Sequence, residues 1–246
     1  MITLFRKIRK QLMSQNKVSK YLVYAIGEIA LVVIGIFLAV QVNDWNEDRK
    51  AHKIITSNKA ILIENLEADL EKVKNVIVLI DSERTVLNQF VERINGPKAN
   101  LDTVIKITIN ELRGAVSGIR FENDDAYNAM VLSSEVNLFE NELKKKLFAV
   151  YYRHERIEIS YRSEFENYMD ARKLLLEKYP SAVNLYSGPI YESVWSRVDL
   201  NDLTSRLLFV VQRKRVMYGI MKGGLELLEE QTSDLLELLK ISQLND

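Results

Sequence analysis

Cysteine is absent from the 246 residues, so the chain has no disulfide framework, no thiolate nucleophile and no Cys-based metal site. That absence is compatible with an oxidising compartment without requiring one. Histidine is scarce, with only His52 and His154. Three prolines (Pro97, Pro180 and Pro189) and nine glycines supply few turns, which implies long helices. No alternating strand pattern of any length occurs, and no linker divides the region after residue 43. What remains, 47% hydrophobic and 28% charged residues, is the composition of a folded protein rather than a disordered one.

Charge is balanced only in total. Residues 1–20 carry Arg6, Lys7, Arg9, Lys10, Lys17 and Lys20 and no acid, a net +6, so with 34 basic and 34 acidic residues overall the remainder holds −6. A main body of net −6 is poorly suited to polyanions, so nucleic acid, whose binding relies on clustered phosphate-neutralising cations, is not an expected partner. From Tyr21 to Val42 the only formally charged side chain is Glu28, and these 22 residues match the roughly 20 that a helix needs to cross a bilayer. The long basic leader, the length of the apolar run and the lack of a small-x-small site in "AVQVNDW" favour an uncleaved anchor over a signal peptide. Cations before the span, and Asn43, Asp44, Asn46, Glu47 and Asp48 after it, place the N-terminus in the cytoplasm. Met1, Phe5, Ile8 and Leu12 fall on one helical stripe, so residues 1–20 read as a basic amphipathic helix in the headgroup region, with a disordered tail as the alternative. Arg6, Lys7, Arg9 and Lys10 on one side and Trp45 on the other are the expected interface anchors.

The motifs of this opening are Gly27-Glu28-Ile29, then Val32-Val33-Ile34-Gly35-Ile36, then Gln41-Val42-Asn43-Asp44-Trp45-Asn46-Glu47, behind a basic leader. In these the chain resembles a bacterial family of uncharacterised single-pass membrane proteins, a domain of unknown function. The likeness is close over about the first fifty residues and loose beyond. It implies a membrane-anchored helical protein and carries no activity; with the charge asymmetry, the expected location is the bacterial inner membrane with the C-terminal domain outside the cytoplasm.

After the span, apolar residues recur every three or four positions at Ile55, Leu62, Leu66, Leu70, Val73, Ile77, Ile80, Leu87 and Val91, which predicts a helix from about Asn46 to Ile94, ending at "NGP". Further helices are expected over Leu101 to about Ala115, capped by Asp102 or Thr103, over about Asp124 to Leu132, over roughly Leu138 to Lys178, and over about Leu200 to Ile241. The predicted organisation is all-α: a cytoplasmic leader (1–20), a transmembrane helix (21–42) and an extracytoplasmic up-and-down bundle of long helices (43–246).

At 100° per residue Gly35 and Ala39 lie about 20° to either side of Glu28, so a carboxyl group and two small residues share one face of the span. That combination suits a second helix, which can approach closely and satisfy the carboxyl. Glu28 lies only about 10 Å deep, so snorkelling to the surface and an ion or proton relay are the competing readings. His154, with Glu158 one turn on, lacks a third ligand at a compelling spacing. It sits on the stripe Leu147, Tyr151, His154, Tyr161, Phe165, Tyr168, and reads as a packed histidine among tyrosines whose hydroxyls reach a wet edge. Arg213-Lys214-Arg215 reads as a solvated face, and Gly219 to Gly224 as a close crossing or hinge. No nucleophile, base or metal set emerges, so no catalytic residue, metal ligand or cofactor is assigned. The sequence points to a non-enzymatic membrane-anchored interaction or scaffold protein whose partners are the bilayer and either a second copy or another membrane protein. The alternative is a small-ligand sensor or an ion-coupled component that uses Glu28.

Overall fold

The computed structural model describes residues 18–112, 114–115, 121, 124–179, 193 and 195–244. All regular structure among them is helical: α1 Val18–Asn95, α2 Leu101–Lys106, α3 Asp124–Leu132, α4 Asn141–Lys178 and α5 Leu200–Leu244. The chain divides into two units, through Ile55 and from Thr56, and the division falls within α1.

In the first unit every residue from Ile29 to Lys50 is exposed. Val23, Leu31 and Phe37, at 72%, 68% and 61% exposure, show how little of this apolar surface meets protein. It is the one helix among the described residues long and apolar enough to cross a membrane.

In the second unit α1 buries Leu62, Leu66, Val73, Ile80, Leu87, Phe90 and Ile94. These positions, with Asp69, follow the four-and-three spacing of a heptad seam. Helix α4 answers with Leu143, Leu147, Val150, His154, Ile157, Tyr168, Ala171 and Leu175, and α5 with Leu203, Leu207, Val210, Lys214, Met217, Met221, Leu225, Leu228, Leu235 and Leu239. Helix α5 runs antiparallel to α1. Lys59 donates to the Ser242 carbonyl (3.4 Å), Lys240 pairs with Glu67 (2.6 Å), Lys222 with Asp81 (2.6 Å) and Lys214 with Glu83 (2.9 Å). Helix α4 is also antiparallel to α5, through Lys146 to Asp234 (3.7 Å) and Arg206 to the Leu174 carbonyl (3.2 Å). Between α1 and α4 the chain returns in pieces. Glu111 pairs with Arg93, the Gly114 carbonyl accepts from Lys214 (3.0 Å), and Glu135 accepts from Asn58 (3.0 Å). Exposed ion pairs contribute at most about 1 kcal/mol each, whereas each fully buried leucine contributes about 1.5–3 kcal/mol, so the seams hold the unit together.

Several expectations need correction. The helix opened at Leu101 is capped by Asn100, whose side chain accepts from the Thr103 N–H at 2.9 Å, and not by Asp102 or Thr103. It stops well short of Ala115. The Thr108 hydroxyl bonds the Val104 carbonyl (2.8 Å) and so competes for a helical acceptor; the chain widens into a π-helical turn over Ile107–Glu111 closed by Leu112 N–H to Ile107 O (2.8 Å). Helix α4 begins at Asn141 rather than Leu138 because Glu135–Leu138 forms a 3₁₀ turn and Phe139 is extended. That break follows Ser134, held at φ 63° in the left-handed region. At its other end α4 stops at Tyr179, before Pro180, as expected.

Lys214 is not part of a solvated face: it is 2% exposed and sits on the α5 seam. The glycines of α5 make no hinge, since the helix is continuous, but Gly224 does mark a close crossing, where an added Cβ would lie 3.1 Å from Ile157 Cγ1. Around Gly219 and Gly223 a Cβ would meet nothing within 4 Å. Gly223→Ala and Gly219→Ala should each stabilise the chain by about 0.5–1 kcal/mol through helix propensity, and Gly224→Ala should cost about 1 kcal/mol through overpacking. Thermal melts of the detergent-solubilised variants check this ranking.

The end of α4 and the start of α5 are tied by Asp202, which accepts from Tyr179 Oη (2.6 Å), Lys178 Nζ (2.9 Å) and Arg206 Nε (3.0 Å). The Tyr179 hydrogen bond, with those of the two cations, holds the Asp202 carboxyl down at about 2. Burial and the same bond push the Tyr179 phenol up to about 12.

Candidate functional site

Residues that packing alone does not account for concentrate in one region of the first unit and two of the second.

In the first, Glu28 is half-buried while Gly35 and Ala39 are exposed, and an added Cβ at Gly35 would meet nothing within 4 Å. The helical spacing leaves the small-residue face open for close approach by another helix. Trp45 is 64% exposed and carries the Arg49 guanidinium 5.9 Å above its ring. The expected anchors Arg6, Lys7, Arg9 and Lys10 lie outside the described residues.

The second region is assembled from three helices. The α4 seam carries His154 inside at 1% exposure, and the α1 seam carries Asp69 inside at 1%. Helix α3 and Phe121 ahead of it then dock through one strip of residues. Phe121 stacks on the His154 ring with centroids 3.8 Å apart and planes 7° apart, and Tyr127 stacks on Tyr151 at 3.9 Å and 3°. Between them Asp124, in the first turn of α3, meets His154 Nδ1 at 2.8 Å. Nε2 and the Tyr151 hydroxyl are both buried with no hydrogen-bond partner among the described residues. One donor atom from each of Asp69, Asp124 and His154 lies within 4.8 Å of the other two. Burial and the nearby charges of Asp124 and Asp69 push the Tyr151 phenol far up, and burial pushes that of Tyr127 up. Asp124, Tyr127, Tyr151 and Glu158 also line an open cleft of about 440 Å³.

His154 is thus packed, as its spacing implies, but the tyrosines beside it differ from expectation: the hydroxyls of Tyr151 and Tyr168 do not reach water. Glu158, the partner one turn on, instead accepts from the Phe121 N–H at 3.3 Å. The residues that spacing within α4 could not supply are Asp69 and Asp124, from elements far away in sequence. The available signal was Asp69 itself, a carboxylate on a seam position between Leu66 and Val73.

A second buried charge lies further along the bundle. Lys214 Nζ donates to Glu83 Oε2 (2.9 Å) and to the Gly114 carbonyl (3.0 Å), with the Tyr218 hydroxyl 3.4 Å from the same carboxylate oxygen.

No family model, curated protein or solved structure matches the chain.

Proposed function

We propose that the protein is a membrane-anchored, non-enzymatic interaction protein. Residues 21–42 cross the bacterial inner membrane once with the N-terminus in the cytoplasm, and the region beyond forms an up-and-down helical bundle outside it. The observation that carries this reading is the unbroken exposed apolar surface of α1 from Ile29 to Val40, far larger than a soluble monomer keeps in water. The leader charge of +6 supports the orientation, and the Glu28, Gly35 and Ala39 face supports association with a second copy or another membrane protein. The bundle supplies the rigid surface outside.

Reporter fusions test the topology: fusions after Trp45 and after Asp246 are expected to behave as extracytoplasmic, and an N-terminal fusion as cytoplasmic. A cytoplasmic signal from the fusion after Asp246 overturns the orientation, and release of the protein by carbonate washing overturns the anchor.

The cleft beside Tyr127 and Tyr151 favours one other reading, in which the bundle binds a small ligand and a partner protein reports it.

A further inference from the structure

The group of buried polar residues around His154 supports a binding function independent of the membrane reading. Asp69 and His154 are each 1% exposed, and only Asp124, with its side chain 29% exposed, opens toward the cleft. Nε2 of His154 and the hydroxyl of Tyr151, both buried beside this group, have no hydrogen-bond partner among the described residues. The donor set is one nitrogen and two carboxylate oxygens, and the phenol of Tyr151, 6% exposed and near both carboxylates, adds a third oxygen as a fourth donor. An imidazole among carboxylates suits a zinc-class ion better than Mg²⁺ or Ca²⁺, which prefer all-oxygen shells with more ligands. The Phe121 ring stacked on His154 fixes the imidazole plane, and the cleft gives an ion a route inward.

We propose that Asp69, Asp124 and His154 form a binding site for one divalent transition-metal ion of the zinc class, with the Tyr151 hydroxyl beside it. Occupation joins α1, α3 and α4 through a single ion. Because the metal takes a nitrogen lone pair and displaces protons, binding weakens as pH falls.

The test uses the full chain in mild detergent, purified without a polyhistidine tag and stripped with chelator. Addition of Co²⁺ is expected to give a visible d–d absorption that saturates at one equivalent, and Zn²⁺ should displace it and raise the melting temperature. Asp69→Asn and His154→Gln should each weaken binding by more than the roughly 10- to 100-fold that loss of an outer-shell partner costs. Asp124→Asn, at a partly exposed position, should do the same even if the two buried variants fail to fold. His52→Gln, which removes the other histidine, should leave binding unchanged. The proposal is overturned if the wild-type chain shows no saturable Co²⁺ or Zn²⁺ binding, if binding survives in folded Asp124→Asn at wild-type affinity, or if His52→Gln abolishes it.

Discussion

Single cysteines placed along α1 from Tyr21 to Val42 should crosslink in native membranes with a periodic profile that peaks on the face of Glu28, Gly35 and Ala39. The chain has no cysteine of its own, so every crosslink reports the introduced position. Gly35→Leu should abolish association, because a bulky side chain on that open face holds two backbones apart and forfeits the contacts that drive helix pairing in lipid. Glu28→Gln should keep most of it. An interhelical hydrogen bond in a membrane averages only about 0.6 kcal/mol and reaches about 1.7 kcal/mol, and an amide still makes one. The two alternatives give different patterns. A proton relay predicts that Glu28→Gln eliminates function while crosslinking stays intact, and a snorkelling carboxylate predicts a flat profile around the helix.

Lys214→Met should destabilise the bundle by about 3 kcal/mol. It leaves the Gly114 carbonyl without its donor and the Glu83 carboxylate, 30% exposed, without its cation. Removing both charges in Lys214→Met/Glu83→Met should recover most of the loss, because an apolar pair of similar volume avoids the desolvation that the ions incur. Denaturant unfolding of the two singles and the double gives the coupling directly. A double variant as unstable as the sum of the singles would mean that the two charges do not act as a pair.

Much of the helical layout is legible in the sequence because it depends on local signals. Ser133-Ser134 ends α3 where expected, Tyr179-Pro180 ends α4, and the apolar positions Leu62, Leu66, Val73, Ile80 and Leu87 lie inside as their spacing requires. The failures arise where a side chain answers to something distant or to its own backbone. Leu70, Ile77 and Val91 look like core by hydrophobicity, yet they are half-buried while Asp69 and Phe90 take the inner positions. Counting only apolar residues hides a carboxylate that shares their period. Lys214 reads as solvated within a run of three cations, and only the seam of α5, from Val210 to Met217, shows that the middle one must turn inward. The π-helical turn at Ile107–Glu111 accompanies a bond from the Thr108 hydroxyl to the Val104 carbonyl, a detail that periodicity does not register. Around His154, the stripe on α4 predicts burial correctly, but Asp69 and Asp124 enter from elsewhere in the chain.

The antiparallel pairing of α1 and α5 also bears on how the bundle chooses its register. Long heptad seams of leucine and valine are nearly degenerate: sliding one helix by seven residues puts similar side chains back in contact. The buried charges remove that degeneracy. With α5 slipped by one heptad, Lys214 would face Val76 or Phe90 in place of Glu83, and an ammonium among apolar side chains costs far more than any leucine contact returns. Asp69 imposes the same discrimination on α4, where a one-heptad shift replaces His154 with Leu147 or Tyr161. The polar residues on the seams thus act against misaligned bundles more than they add to the stability of the aligned one.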